Sequence, residues 1–182
     1  MLELKKETQA LLKACKDKNS PKVELNFIFK DSENYVATNT TVLVKVKHNS
    51  SLVDGKRLLI ADDAAIKKAN IDPAELKMDM GSTVVSERIV GKYPPYERII
   101  PRDTMMLRSE DLDNMLDLLY FIQRKHGFVI HHKQTPVLKA LEKIPLCKDA
   151  TYHYTNYNMP VSIKNGDITF VLMPYIPCAV EK

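Results

Sequence analysis

The chain has 182 residues, 45% of them hydrophobic and 27% charged, with 27 basic against 23 acidic side chains for a formal net charge of +4. This composition suits one large or two small coupled globular domains, and it excludes a disordered tail, a fibrous repeat and a collagen-like chain. The mild positive charge permits a nucleic-acid partner without demanding one, and apolar runs of only a few residues fall far short of the roughly 20 that cross a bilayer.

Leu2 and Leu4 alternate at the start, and Met1-Leu2-Glu3-Leu4-Lys5-Lys6 has no apolar core of signal-peptide length. Thr8, Leu11, Leu12 and Cys15 then fall at helical spacing, with Gln9, Lys13 and Lys16 on the opposite face. Asn19-Ser20-Pro21 stops that helix. Two extended segments follow, 23–29 and 35–46, joined by the polar turn Asp31-Ser32-Glu33-Asn34; the second alternates through Val42, Val44 and Val46 as a half-buried strand does. Asp54-Gly55 signals a turn, Leu58-Leu59-Ile60 a short buried strand, and Asp62 or Asp63 the cap of a helix carrying Ala65, Ile66 and Ala69. Segments 76–80 and 83–90, split by Gly81-Ser82, form a hairpin, so that a strand-helix-strands unit occurs twice before residue 102.

Three prolines in 93–102 forbid a helix and a central strand there, predicting an extended surface connector and a boundary between domains 1–102 and 103–182. Beyond it Ser109 caps a helix with Glu110 and Asp111 in its first turn and Leu112, Met115, Leu116 and Leu119 as its core stripe; Arg124, Lys125 and His126 close it near Gly127. A short strand at 128–132 precedes a helix opened by Thr135-Pro136, with Val137, Leu138, Leu141 and Ile144 on its apolar side and Lys139 and Lys143 opposite. The tail is β: 151–157, then 161–164 and 167–173 around Asn165-Gly166, a strong hairpin signal, and an exposed apolar end at Met173-Pro174-Tyr175-Ile176-Pro177. The class is therefore α+β, with helices on one face of a largely antiparallel sheet.

Little of this sequence points to catalysis. Cys15, Cys147 and Cys178 are odd in number and never spaced as CxxC, which fits a reducing cytoplasm and argues against a disulfide framework or zinc site. Five glycines leave no phosphate-cradling loop. Asp62 and Asp63 are adjacent and diverge; His131 and His132 point to opposite faces of a strand. Asp113 and Asp117, spaced i,i+4, offer the one carboxylate pair for a metal-dependent nuclease, although exposed acids on a solvated helix face are commoner. No enzyme activity, cofactor or metal is expected.

Basic residues are better organised. Lys13 and Lys16, Lys67 and Lys68, and Lys139 and Lys143 lie away from their helices' apolar stripes, and Arg124 and Lys125 add charge to a fourth helix. One such face is ordinary solvated surface. Four helices lining one side of a continuous sheet would form a track for phosphates that fixes position and reads no sequence. Aromatics do not interleave with these lysines, so a base-stacking platform is not indicated.

Three segments carry a resemblance. Tyr93-Pro94-Pro95-Tyr96-Glu97-Arg98-Ile99-Ile100-Pro101 resembles the aromatic-Pro-x-Tyr-x-Arg-hydrophobic-hydrophobic-Pro signature of bacterial DNA polymerase sliding clamps, the β subunits. Val36-Ala37-Thr38-Asn39-Thr40-Thr41-Val42-Leu43 stands where that family carries Val-Ala-Thr-Asp-Gly-His-Arg-Leu, and Phe170-Val171-Leu172-Met173-Pro174-Tyr175 resembles its Val-Met-Pro-Met ending. The segments occur in family order. Thr40-Thr41-Val42 replaces the family's Gly-His-Arg, and 103–182 is similar to a clamp domain that has lost several strands.

The resemblance implies DNA-clamp-like strand-helix-strands repeats and a non-enzymatic processivity factor in DNA replication. Its ring would close around duplex DNA and tether a polymerase or other replication proteins. With about twelve inner helices per ring and four per chain, closed symmetry favours a homotrimer over a dimer. Lys13, Lys16, Lys67, Lys68, Arg124, Lys125, Lys139 and Lys143 would face DNA. Partners would dock a short peptide in an apolar cleft of Thr38, Leu43, Pro94, Arg98, Ile99, Val171, Met173, Pro174 and Tyr175, and a clamp loader could open the ring. The alternative is a clamp-fold interaction or inhibitor protein that binds replication proteins without encircling DNA.

Overall fold

The structure, a computed structural model, describes residues 4–31, 33–48, 57–79, 81–101, 105–106, 112–156 and 158–175. Helix α1 (Lys6–Cys15) buries Thr8, Leu11, Leu12 and Cys15, the four residues its period sets on one side. The chain leaves the helix at Lys16, where the backbone turns extended. Residues 23–26 then make a 3-10 turn rather than a strand, tied by the Asn26 side-chain amide donating to the Val23 carbonyl at 2.9 Å. Strand β1 (Ile28–Lys30) follows, and the expected single segment 35–46 is two strands, β2 (Asn34–Thr38) and β3 (Val42–Lys47).

The turn between them lacks glycine and proline, so composition did not mark it. It is built by side chains instead. Asn39 Oδ1 accepts from the Thr41 and Val42 amides, Thr38 Oγ1 accepts from the Thr40 amide, and Thr40 sits in the left-handed region at φ +74°.

Strand β4 (Leu58–Ile60) leads to α2 (Asp63–Ala69), where Asp62 caps the Ala65 amide at 3.0 Å and Asn70 ends the helix at φ +50°. The following hairpin is β5 (Lys77–Asp79) and β6 (Ser82–Ser86); it stops at Ser86, which caps a single helical turn, α3 (Glu87–Val90). Strand β7 (Met105–Met106) precedes α4 (Met115–His126), whose cap is Asn114, accepting from the Leu116 and Asp117 amides at 3.0 Å. The helix thus starts later than expected, because Asn114 captures both orphan amides and leaves Leu112 and Asp113 outside. Segment 128–132 contributes only a bridge, Val129 to Tyr175, before a 3-10 turn at His132–Gln134 and α5 (Thr135–Leu141). The tail holds β8 (Thr151–His153), β9 (Val161–Asn165) and β10 (Ile168–Leu172). The expected strand at Leu2, the Asp54-Gly55 turn, the Ser109 cap with Glu110 and Asp111, and Ile176-Pro177 lie outside the described residues.

Among the described residues the strands form one antiparallel sheet in the order β5-β6-β4-β1-β2-β3-β10-β9-β8-β7. Its central seam is the five-residue pairing of β3 with β10, which joins the two halves of the chain in one sheet. The pleat sorts side chains strictly. Ile28, Ala37, Val44, Phe170, Ile163 and Tyr152 face the layer of α1, α4 and α5, while Phe29, Val36, Leu43, Leu59, Val85 and Val171 face a second cluster that includes Ala65 of α2. Met115, Leu118, Leu119 and Ile122 of α4 are wholly buried in the first cluster. At about 1.5–3 kcal/mol per buried side chain, this packing rather than propensity holds a twelve-residue helix that would be marginal alone. No helix among the described residues is long and apolar enough to cross a membrane.

Candidate functional site

The segment 93–101 does not simply run over the surface. Tyr93 stacks on Phe29 with ring centroids 5.0 Å apart, and both Tyr93 and Tyr96 are core residues. The Tyr93 amide donates to Glu87 Oε1 at 2.6 Å, and Glu87 is itself held by Arg57 at 2.8 Å. The Tyr96 hydroxyl donates to Asp31 Oδ2 at 2.6 Å. Prolines keep this stretch out of the sheet ladder, and two tyrosines pin it down by their rings; between and beyond them Pro94 is half-buried and Arg98 and Ile99 are exposed. Burial, and for Tyr96 the Asp31 carboxylate as well, push both phenols well above the ordinary tyrosine range.

Register brings the second set of residues alongside. Thr38 pairs with Leu43 and Leu43 with Val171, so three of the expected cleft residues form one row across β2, β3 and β10. The Met173 amide donates to the Thr41 carbonyl at 2.8 Å, carrying the chain past the β2–β3 turn. The row itself is closed to solvent: Leu43 and Val171 are 2% and 1% exposed and belong to the second cluster, Thr38 spends its hydroxyl on the Val42 carbonyl, and Pro174 is buried too. Of the nine expected residues, Arg98, Ile99, Met173 and Tyr175 are exposed.

A flank that sequence reasoning missed completes this surface. Asn39 Nδ2 donates to Gln134 Oε1 at 3.2 Å and Gln134 Nε2 donates to Thr41 Oγ1, clipping the β2–β3 turn to the 3-10 turn at 132–134. The His131 ring meets the Tyr175 ring edge-on at 4.8 Å, and the Tyr175 amide donates to the Val129 carbonyl at 2.8 Å. Desolvation, with the charges of His132 and Lys133, holds the His131 imidazole below its usual range. No local signal could have found Gln134, since its partners lie more than ninety residues away.

The expected DNA-facing residues divide. Lys13, Arg124, Lys139 and Lys143 are exposed in the layer of α1, α4 and α5, with Lys143 just beyond the end of α5. Lys67 is exposed on α2, the helix that packs into the second cluster. Lys68 donates to the Lys18 and Ser20 carbonyls and to Asn26 Oδ1, anchoring the 18–26 segment, and Lys125 donates to the Tyr152 hydroxyl at 3.2 Å.

Lys16 requires a correction: it is buried and pairs with Asp62 at 2.5 Å. Its expected place on the outer face assumed helix through position 16, and the helix ends one residue earlier. Partial burial pushes the Asp62 carboxyl up, but the Lys16 ammonium and the Ala65 amide outweigh it and hold the group below the usual range. Asp113 likewise stands ahead of the Asn114 cap, so it does not share a helix face with Asp117, and the nuclease reading loses its geometry. Among the described residues no three acidic, histidine or cysteine side chains cluster as a metal site. Burial pushes the Cys15 thiol far up, which leaves it an inert core residue.

No protein-family model and no curated protein matches this sequence. Solved structures do match. The DNA polymerase sliding clamp of Caulobacter crescentus superposes with a TM-score of 0.54 at 12% identity, over 93% of this chain and 63% of that one. The Pseudomonas aeruginosa clamp gives 0.54 at 13% identity over 93% and 65%. The Helicobacter pylori β clamp bound to a DNA ligase peptide gives 0.57 at 13% identity over 93% and 62%. This chain has the sliding-clamp fold. It spans just under two thirds of the length of these clamps, and at such identity the likeness is one of architecture, with the α+β class and antiparallel sheet expected above.

Proposed function

We propose that this chain is a sliding-clamp-like processivity factor that closes around duplex DNA as a homo-oligomeric ring and tethers a polymerase or another replication protein. The reading is supported chiefly by one arrangement: three helices with exposed basic residues Lys13, Arg124, Lys139 and Lys143 on one side of a sheet whose two ends, among the described residues, are the edge strands β5 and β7. An unpaired edge offers a row of backbone donors and acceptors to another chain. Head-to-tail pairing of β5 with β7 of the next copy closes a ring if the rotation per copy divides the circle. The trimer expected from four inner helices per chain loses that count, since α2 packs into the second cluster and, among the described residues, only α1, α4 and α5 lie on the basic side; light scattering reads the copy number.

Such a ring holds DNA by topology, so its lysines need only weak, sequence-blind contacts. The test follows from that. The protein, with a clamp loader supplied, is expected to stay on a nicked circular plasmid through gel filtration and to run off once the plasmid is linearised. Retention indifferent to linearisation, or a stable monomer by light scattering at micromolar concentration, refutes encirclement and leaves the inhibitor reading. The Helicobacter pylori clamp carries a ligase peptide; by analogy the partner peptide here would lie on Ile99, Met173 and Tyr175 beside Arg98. Ile99→Ala with Met173→Ala is expected to weaken a clamp-binding peptide by about 1–3 kcal/mol, and unchanged affinity removes the assignment.

A further inference from the structure

The pleat that turns Val42, Val44 and Val46 toward the helices turns Lys45 and Lys47 the other way. Cross-strand register extends that outward row: Lys45 pairs with Thr169, Thr169 with Lys164 and Lys164 with Thr151. Lys45 and Lys164 therefore flank the Thr169 side chain across two strand spacings, about 9–10 Å between backbones, and Lys47 lies about 7 Å along β3 from Lys45. Lys47 and Lys164 are exposed, and Lys45 and Thr169 half-buried.

Among the described residues no carboxylate forms an ion pair with Lys45, Lys47 or Lys164. The nearest acidic groups in sequence and register are Glu33, whose carbonyl accepts from the His48 amide, and Asp167, whose carbonyl accepts from the Lys47 amide. Neither carboxylate forms an ion pair with the three lysines, whereas the buried Lys16 and Lys30 and the partly exposed Arg57 all do find carboxylates. Three like charges on a pleated surface repel one another unless an anion bridges them. Hydroxyls rather than apolar side chains separate the lysines, which suits phosphate oxygens better than a protein partner's core, and the aromatic in line with them, Phe29, is buried two strands beyond Lys45 and cannot stack a base.

We propose that the outward face of β3, β10 and β9 holds the phosphate backbone of a nucleic acid through Lys45, Lys47 and Lys164. This surface is on the opposite side of the sheet from α1, α4 and α5, so it is separate from the basic helical layer and does not depend on a closed ring. It contacts phosphates without reading bases, and it gives the molecule a second place to hold a strand outside any bore.

The experiment removes the helical contribution first. In a variant carrying Lys13→Glu, Arg124→Glu, Lys139→Glu and Lys143→Glu, fluorescence anisotropy with a labelled 20-base-pair duplex at low salt is expected to retain binding, with a log–log salt slope of about −2 to −3 for up to three phosphate contacts. Adding Lys45→Glu and Lys164→Glu is expected to lower that residual affinity at least tenfold with unchanged circular dichroism, while a sequence-scrambled duplex binds equally well. Loss of all binding in the first variant, or residual binding indifferent to the second pair, overturns the proposal. So does displacement of the duplex by polyglutamate at matched charge as effective as by unlabelled DNA, which would assign the face to an acidic protein.

Discussion

Tyr93 and Tyr96 stand three residues apart in one motif, both buried, yet removal of their hydroxyls should have opposite consequences. The Tyr96 hydroxyl donates to Asp31 Oδ2 at 2.6 Å. A hydrogen bond to a charged group contributes about 1.5–3 kcal/mol. Asp31 is only half-buried, and its other oxygen still accepts from the Glu33 and Asn34 amides at 2.8 and 2.7 Å, so water and these donors offset part of the loss. Tyr96→Phe is therefore expected to cost about 1–2 kcal/mol, or about 2–8 °C in melting temperature for a chain of this size. Among the described residues the Tyr93 hydroxyl is buried without a well-formed hydrogen bond, the Thr38 backbone being a weak polar neighbour, while its ring keeps its stack on Phe29 whether or not the oxygen is present. Tyr93→Phe should be neutral or stabilise by up to about 1 kcal/mol. Urea titrations followed by circular dichroism, with the m-value unchanged, read both.

High pH supplies an independent check. Both phenols titrate well above their unfolded value, so the unfolded chain releases protons first as pH rises. Stability is full below about pH 10 and falls above it, and the double Phe variant should lose less over that range than the wild type. A Tyr93→Phe variant less stable than Tyr96→Phe refutes the assignment of one tyrosine as a hydrogen-bonded latch and the other as a plain ring.

Two further expectations concern the turns. Thr40 holds a left-handed backbone at φ +74° where the resembled family carries glycine, and its side chain is exposed; Thr40→Gly should stabilise by about 0.5–1 kcal/mol in urea, and a destabilised variant would show that the Thr40 side chain makes a needed contact. Asp62→Asn keeps a capping oxygen but strands the buried Lys16 ammonium, so it should destabilise at neutral pH; because the Asp62 carboxyl titrates below its unfolded value, its stabilisation is present above about pH 4 and lost as pH falls through the folded value, and a variant whose acid unfolding profile matches the wild type would refute the pair's importance.

What the sequence determined by itself was local and periodic. The buried stripe of α1, the apolar side of α5, the Asp62 cap and the hairpin at Asn165-Gly166 were all legible because each depends on neighbours within a few residues, and backbone geometry converts that spacing directly into faces and turns. The three resembling segments were legible for the same reason, as short strings. The β2–β3 turn was not: it is made by the Asn39 and Thr38 side chains, without the glycine or proline that marks a turn. Only the tertiary structure decided that β3 and β10 share a seam, that Leu43 and Val171 lie beneath the second cluster, and that Gln134 clips a turn from the other half of the chain. It also decided which lysines reach solvent. Lys13 and Lys16 look alike in a helical wheel, but one residue of helix length and a carboxylate forty-six positions away draw Lys16 inside. Such outcomes rest on pairings between distant segments, whose free energy depends on burial and complementarity that no short window of sequence contains.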